Sequence, residues 1–161
     1  VYNLAVVLDT LGDKDPTFED TRALGYTLQV LEESMRMYPA VWFADREPLE
    51  DDEINGVKIK KGEDVGCFIY GLHRNPDYWK NPDKFDPNRF SRENKKTRTP
   101  FAYLPFGGGP RLCIGKNFAQ MEMQFMLSML IKRYKFTLSP GQKMDLLKVP
   151  APKPHRSRSR R

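Results

Sequence analysis

The chain has 161 residues, enough for one modest domain with a core of its own. It is 39% hydrophobic and 30% charged, and no apolar run reaches the roughly eighteen residues of a membrane span. The net charge of +6 is mostly a tail property: residues 150–161 hold five basic residues and no acidic one, which leaves 22 basic against 21 acidic residues elsewhere, so a basic field for nucleic acid would have to come from that tail alone.

The opening stretch "VYNLAVVLDTLGD" has neither a basic flank nor a small-residue cleavage site, so no signal peptide is expected. It also lacks an initiator methionine, and the expectation is a piece of something longer. Residues 17–38 read as one helix. Thr17 can cap it, Glu19 and Asp20 suit its positive end, and Leu24, Leu28, Leu31, Met35 and Tyr38 step along one face. Pro39 should end it near Tyr38. On the same helix Glu33 and Arg36 are three apart and can pair. Tyr26, Val30 and Met37 fall on the side of Glu33, so its carboxylate should be partly buried and need a partner.

Short strands are expected over residues 53–70, with Asn55-Gly56 as a hairpin turn and a second turn at Gly62. Residues 73–106 carry prolines at 76, 82, 87, 100 and 105 and should form a long irregular segment packed by its own aromatic side chains. After Cys113, "IGKNFAQMEMQFMLSMLIKRY" is apolar nearly all round, so that helix should be buried on more than one side. Its four methionines suit either core filling or the face of a large flat ligand. The proline-rich and Arg-Ser end, residues 150–161, should be a disordered basic tail after a body of residues 1–149.

The chemistry concentrates in "PFGGGPRLCIGKNFAQ", residues 105–120. A phosphate loop is excluded, because Pro110 stands where its first glycine belongs and Asn117 where Ser or Thr belongs. A dinucleotide fingerprint fails at Leu112. Cys67, His73, Cys113 and His155 lack zinc-site spacing. The two cysteines form no disulfide framework and favour an intracellular setting. A cysteine nucleophile would need His73 as its base, and the sequence leaves that open. A single thiolate holding a heme iron fits best: a helix start and Arg111 would favour the thiolate, and glycines would let a macrocycle lie on the backbone.

The stretch resembles the heme signature F-x-x-G-x-R-x-C-x-G of the cytochrome P450 monooxygenases, with Phe106, Gly109, Arg111, Cys113 and Gly115 at all its fixed positions. Chance matches occur on the order of 10⁻⁷ per window. "EESMRMYP" is similar to the family's E-x-x-R followed by an aromatic-proline pair, and "FDPNRF" to its P-x-R-F element, with Asn88 where many members have glutamate. The resemblance covers roughly residues 9–145. It implies a mainly α fold with small β-sheets (α+β), the C-terminal third of the cytochrome P450 fold. It further implies heme (iron protoporphyrin IX) with Cys113 as axial ligand, Arg111 and Arg46 on the propionates, Phe106 on the thiolate side, and a structural Glu33–Arg36–Arg89 triad. Val41, Trp42 and Phe43 align with a segment lining the substrate channel. The implied activity inserts one oxygen atom from O₂ into a small apolar substrate, with electrons from a reductase, in a parent associated with the endoplasmic reticulum or plastid. The family's central acid–threonine helix has no counterpart here, so the chain alone is expected to be inactive. A truncated heme-binding product, and an interaction protein acting through the Arg-Ser tail, are the alternatives; nucleic acid is the less favoured partner.

Overall fold

A computed structural model describes residues 7, 11–12, 14–17, 19–137 and 141. The 150–161 tail and the boundary near residue 149 lie outside the described residues. The helix expected over residues 17–38 forms in two pieces, α1 (Asp20–Ala23) and α2 (Gly25–Met37), separated by Leu24 at φ −83°, ψ 45°. Glu19 stands at the N-cap of α1 without a side-chain cap bond, and Thr17 braces the entrance from two residues upstream, its hydroxyl accepting the Asp20 N–H at 3.4 Å. The Thr17 N–H and hydroxyl both donate to Asp20 Oδ2, at 2.7 and 2.8 Å, and these bonds hold the Asp20 carboxyl below the usual range. The break at Leu24 has a tertiary cause. Leu24 is fully buried with Val7 and Leu11 against Ile131, its carbonyl accepts from Gln124 Nε2 at 3.3 Å, and the next residue is glycine, a weak helix former.

The inward face of α2 is also not the one that periodicity marked. Leu28, Leu31 and Met35 are only half-buried and Tyr38 is exposed, whereas Thr27, Glu32, Glu33, Arg36 and Met37 are buried. Helix α2 thus turns a charged stripe inward, onto the 3₁₀ turn Pro87–Phe90.

Four three-residue strands follow: β1 (Ala44–Arg46), β2 (Asp52–Ile54), β3 (Val57–Ile59) and β4 (Val65–Cys67). They form two antiparallel pairs. β2 faces β3 through the Ile54↔Val57 register, closed by Asn55 at φ 49° and Gly56 at φ 82°, the two left-handed positions of a type I′ turn. β1 pairs with β4 in the register Ala44↔Cys67 and Arg46↔Val65. A one-turn helix α3 (Ile69–Leu72) then leads into the irregular segment. Its own aromatic residues pack that segment: Trp79, Phe90 and Ala102 are buried together with Tyr103 against them. A short surface helix α4 (Arg92–Thr97), capped by the Ser91 side chain, interrupts it.

The last helix, α5 (Lys116–Arg133), corrects the expectation of burial on several sides. It packs along α2, and its buried residues are the polar Gln124 and Ser128, while Phe118, Met126 and Leu130 are exposed. It meets α2 and, through Ile131, the Val7, Leu11 and Leu24 cluster, while the side that carries Phe118, Met126 and Leu130 faces outward.

The tip of the Phe43 ring reaches the backbone of β4 at Gly66. A Cβ added at Gly66 would stand 2.1 Å from Phe43 Cζ. Gly66→Ala is expected to displace that ring and destabilise the chain by about 1–3 kcal/mol, read as a lower urea midpoint, whereas alanine at Gly25, where an added Cβ meets nothing within 4 Å, should not.

Candidate functional site

Glu33 and Arg36 lie one turn apart on α2, and both are completely buried. Arg36 grips Glu33 with two parallel bonds, Nε to Oε2 at 2.6 Å and Nη2 to Oε1 at 2.8 Å. Its Nη1 donates to the His73 carbonyl at 2.8 Å, and its guanidinium lies 5.3 Å from the centre of the Trp79 ring. The Glu33 carboxylate also accepts the Asp86 N–H at 2.8 Å. Arg89 approaches from the 3₁₀ turn with Nε 3.4 Å from Glu33 Oε1, and its Nη2 donates to the Asn81 carbonyl at 2.8 Å. Spacing alone marks Glu33/Arg36 as a helix pair; the fold buries both and brings the half-buried Arg89 beside them. Asn88, the departure from the family pattern, is exposed.

His73 caps α3 and is also fully buried. Its Nε2 accepts the Leu104 N–H at 2.8 Å, so the ring proton sits on Nδ1. Burial lowers its pKa to about 4, against smaller opposing effects from the nearby Arg36 and Met35 carbonyls. A buried imidazole whose acceptor nitrogen is taken by a backbone amide is poorly suited to serve as the base for Cys113, whose side chain is exposed.

From Leu104 the chain runs into the glycine stretch. The Gly107 N–H donates to the Leu104 carbonyl at 3.2 Å, and the Cys113 N–H to the Phe106 carbonyl at 3.0 Å. Gly107 at φ 73° and Gly109 at φ 65° take left-handed conformations that other residues resist, and this is their first role. Gly108 is crowded in a different way: a side chain there would press on the Phe101 ring at 3.1 Å. Gly115 starts α5, and a Cβ on it would stand 3.9 Å from Cys113 Sγ. The thiol is free, and Arg111, Leu112 and Ile114 around it are exposed. A single unpaired sulfur beside bare backbone, just ahead of an eighteen-residue helix, fits a flat group ligated from one side.

Arg46 lies on β1, exposed, with Nη1 donating to the Asp45 carbonyl at 2.6 Å. Val41 is half-exposed, while Trp42 and Phe43 are half-buried, their rings 5.7 Å apart, with Phe68 edge-on to Trp42 at 6.3 Å.

Sequence reasoning passed over Arg98, Tyr103 and the Glu32–Lys95 pair. Arg98 Cζ lies 4.3 Å from the Phe90 ring centre, 5.1 Å from Trp79 and 5.4 Å from Tyr103, and its Nη2 donates to the Arg89 carbonyl at 2.7 Å. The Tyr103 hydroxyl donates to the Glu32 carbonyl at 2.9 Å, and burial raises its pKa. Lys95 pairs with Glu32 at 2.6 Å. These groups, with Phe106, Gly107 and Lys116, line an open cleft of about 430 Å³. The clustered Trp79, Phe90 and Tyr103 were the available signal, but nothing in the spacing pointed an arginine at them.

Comparison with known proteins agrees with this arrangement. The family model described as Cytochrome P450 matches residues 7–151. A putative cytochrome P450 132 of Mycobacterium bovis is 43% identical over 138 residues, 86% of this chain and 30% of that protein. The chloroplastic protein LUTEIN DEFICIENT 5 of Arabidopsis thaliana is 40% identical over 134 residues, 81% of this chain and 22% of its own length. The crystal structure of the cytochrome P450DA heme domain superposes with a TM-score of 0.77 at 37% identity, over 81% of this chain and 29% of that one. The chain therefore spans about a third or less of the length of each of these proteins.

Two outcomes follow from the geometry. Glu33→Gln strands a buried guanidinium and should cost about 3–5 kcal/mol in urea unfolding. Arg89→Gln leaves the two-bond Arg36 grip intact and should cost about 1–2 kcal/mol. His73 sets a pH dependence. Its folded pKa of about 4 lies below the ordinary 6.5. The unfolded chain therefore binds the proton first, and stability falls as pH drops from 6.5 towards 4. The expected loss between pH 7 and pH 5 is about 2 kcal/mol, absent in His73→Leu.

Proposed function

The chain belongs to the cytochrome P450 family, and from that premise we propose that it is the heme-binding C-terminal part of a heme-thiolate monooxygenase, with residues 1–149 as its incomplete P450 portion. The observation that carries this reading is the free, exposed Cys113 thiol, set between left-handed glycines and the start of α5.

Each residue then has a task. Cys113 would ligate the iron. Arg111 and Arg46 would bind the propionate carboxylates, where a planar guanidinium matches a carboxylate better than lysine would. Phe106, whose carbonyl accepts the Cys113 amide, would pack on the thiolate side and limit water there. Gly115 leaves the backbone bare beside the sulfur, and Gly109, where an added Cβ meets nothing within 4 Å, would leave room for the ring. Glu33, Arg36 and Arg89 touch no reacting atom and hold the frame. Val41, Trp42 and Phe43 would offer an apolar surface to substrate. The chemistry that a thiolate-ligated heme supplies is activation of O₂, with electrons from a reductase, so that one oxygen atom enters an apolar substrate.

Among the described residues no helix is long and apolar enough to cross a membrane. The parent protein would associate with a plastid or endoplasmic reticulum membrane. A second reading, heme binding without turnover, is favoured by one observation: Ile114, next to Cys113 in the chain, and Phe118 in the first turn of α5 are exposed, so water reaches that end of the helix. Action through the Arg-Ser tail is the third reading and falls outside the described residues.

Hemin titration tests the first two readings. The chain should bind hemin and, once reduced under carbon monoxide, give the red-shifted Soret band of a thiolate-ligated heme. Cys113→Ser should lose that band, and Arg111→Ala should weaken binding about tenfold through a lost charge-assisted bond. Absence of the band in the unaltered chain would overturn the ligand assignment. NADPH-dependent oxidation with a reductase present would decide between the readings: turnover supports the monooxygenase, and heme binding without turnover supports the second.

A further inference from the structure

We propose that His73 is a positioning residue for the cysteine loop: its neutral imidazole accepts the Leu104 N–H and so fixes the start of the turn that presents Cys113. The link spans 31 residues and is 2.8 Å long. It joins two other contacts. His73 gives its carbonyl to Arg36 Nη1 at 2.8 Å, and its own amide donates to Ile69 at 2.9 Å. The residue is thus held at its backbone by the charged pair of α2 and holds the loop with its ring. On the loop side the bonds continue in sequence, from the Leu104 carbonyl to the Gly107 N–H and from the Phe106 carbonyl to the Cys113 N–H.

Residues 103–104 lie in neither helix nor strand, so regular structure does not satisfy the Leu104 amide. Without an acceptor, that N–H would have to find water or remain unpaired, and the turn would lose its anchor. Only a neutral imidazole can accept, and the surroundings keep it neutral. It is fully buried, with the Arg36 and Arg74 cations nearby and the Tyr103 ring 5.2 Å away, tilted by 33°. The Arg36 and Met35 carbonyls favour the protonated ring, but burial outweighs them.

That the loop seats a heme rests on the function proposed above, whereas the link is read from amide exchange in the chain without heme, so the two can fail separately. In the unaltered chain the Leu104 amide should be protected. His73→Leu should lower that protection at least about tenfold, with Gly107 and Cys113 following. The Trp79 amide, bonded to Asn75 at 2.9 Å in the neighbouring turn, should keep its protection. His73→Gln, whose Oε1 can reach where Nε2 stood, should restore Leu104. Loss shared equally with Trp79, or a glutamine variant that behaves like the leucine one, would overturn the proposal. If the leucine variant does not fold, acid titration of the unaltered chain replaces it. The ratio of Leu104 to Trp79 protection should fall as pH passes through about 4, and a constant ratio would overturn the proposal.

Discussion

Two opposite charges removed from water set the terms for the rest of this structure. Glu33 and Arg36 are both fully buried. Stripping their hydration costs several kcal/mol each, and their attraction offsets that only if the remaining lone pairs and N–H groups find partners. Here they do: two bonds between them, the Asp86 amide on the carboxylate and the His73 carbonyl on the guanidinium. Those partners come from the irregular segment. An ion pair on one helix therefore dictates where residues 73–89 must lie, although they form almost no regular structure of their own.

The distribution of polarity is unusual for a domain of this size. Among the described residues, seven polar or charged side chains are buried against eight apolar ones, while Phe118, Met126 and Leu130 of α5 face outward. Area removed from water cannot be the main source of order around α2; directional bonds and ring contacts take that part. Arg98 over Phe90 and Trp79, and the Tyr103 hydroxyl on the Glu32 carbonyl, extend the same pattern towards the glycine stretch. The polar frame around Glu33 and Arg36 is built from residues of this chain. Among the described residues Phe118, Met126 and Leu130 of α5 have no apolar cover, in keeping with a chain that matches about 30% of its relatives' length.

How much the sequence revealed depended on the range of the interaction. The Asn55-Gly56 turn is local chemistry and forms as expected. The Glu33–Arg36 pair is one helical turn and was equally legible. Arg89 came from family resemblance, since its partner lies more than fifty residues away. Periodicity marked Leu28, Leu31 and Met35 as the inward face, but the buried carboxylate outranked them, because an unpaired charge costs more than an uncovered leucine. The interruption at Leu24, the ring contacts of Arg98 and the acceptor role of His73 all depend on distant segments, and no spacing rule carries that information. The glycines were legible as special, though for a partial reason. Gly115 has no left-handed conformation to account for it and stands beside Cys113 Sγ, while Gly107 and Gly109 answer first to backbone handedness.

The wide sequence separation of the bonds around Arg36 has a consequence for how the chain acquires its shape. Glu33 and Arg36 can meet as soon as one helical turn exists. Their further partners, His73, Lys84 and Asp86, lie 37, 48 and 53 residues downstream of the group each one meets. Closing loops of that length costs entropy before it returns any contact, and such non-local pairing slows folding. On a ribosome the two charges must keep their hydration until Asp86 has cleared the exit tunnel. Chain growth, rather than helix formation, sets the earliest moment at which they can leave water.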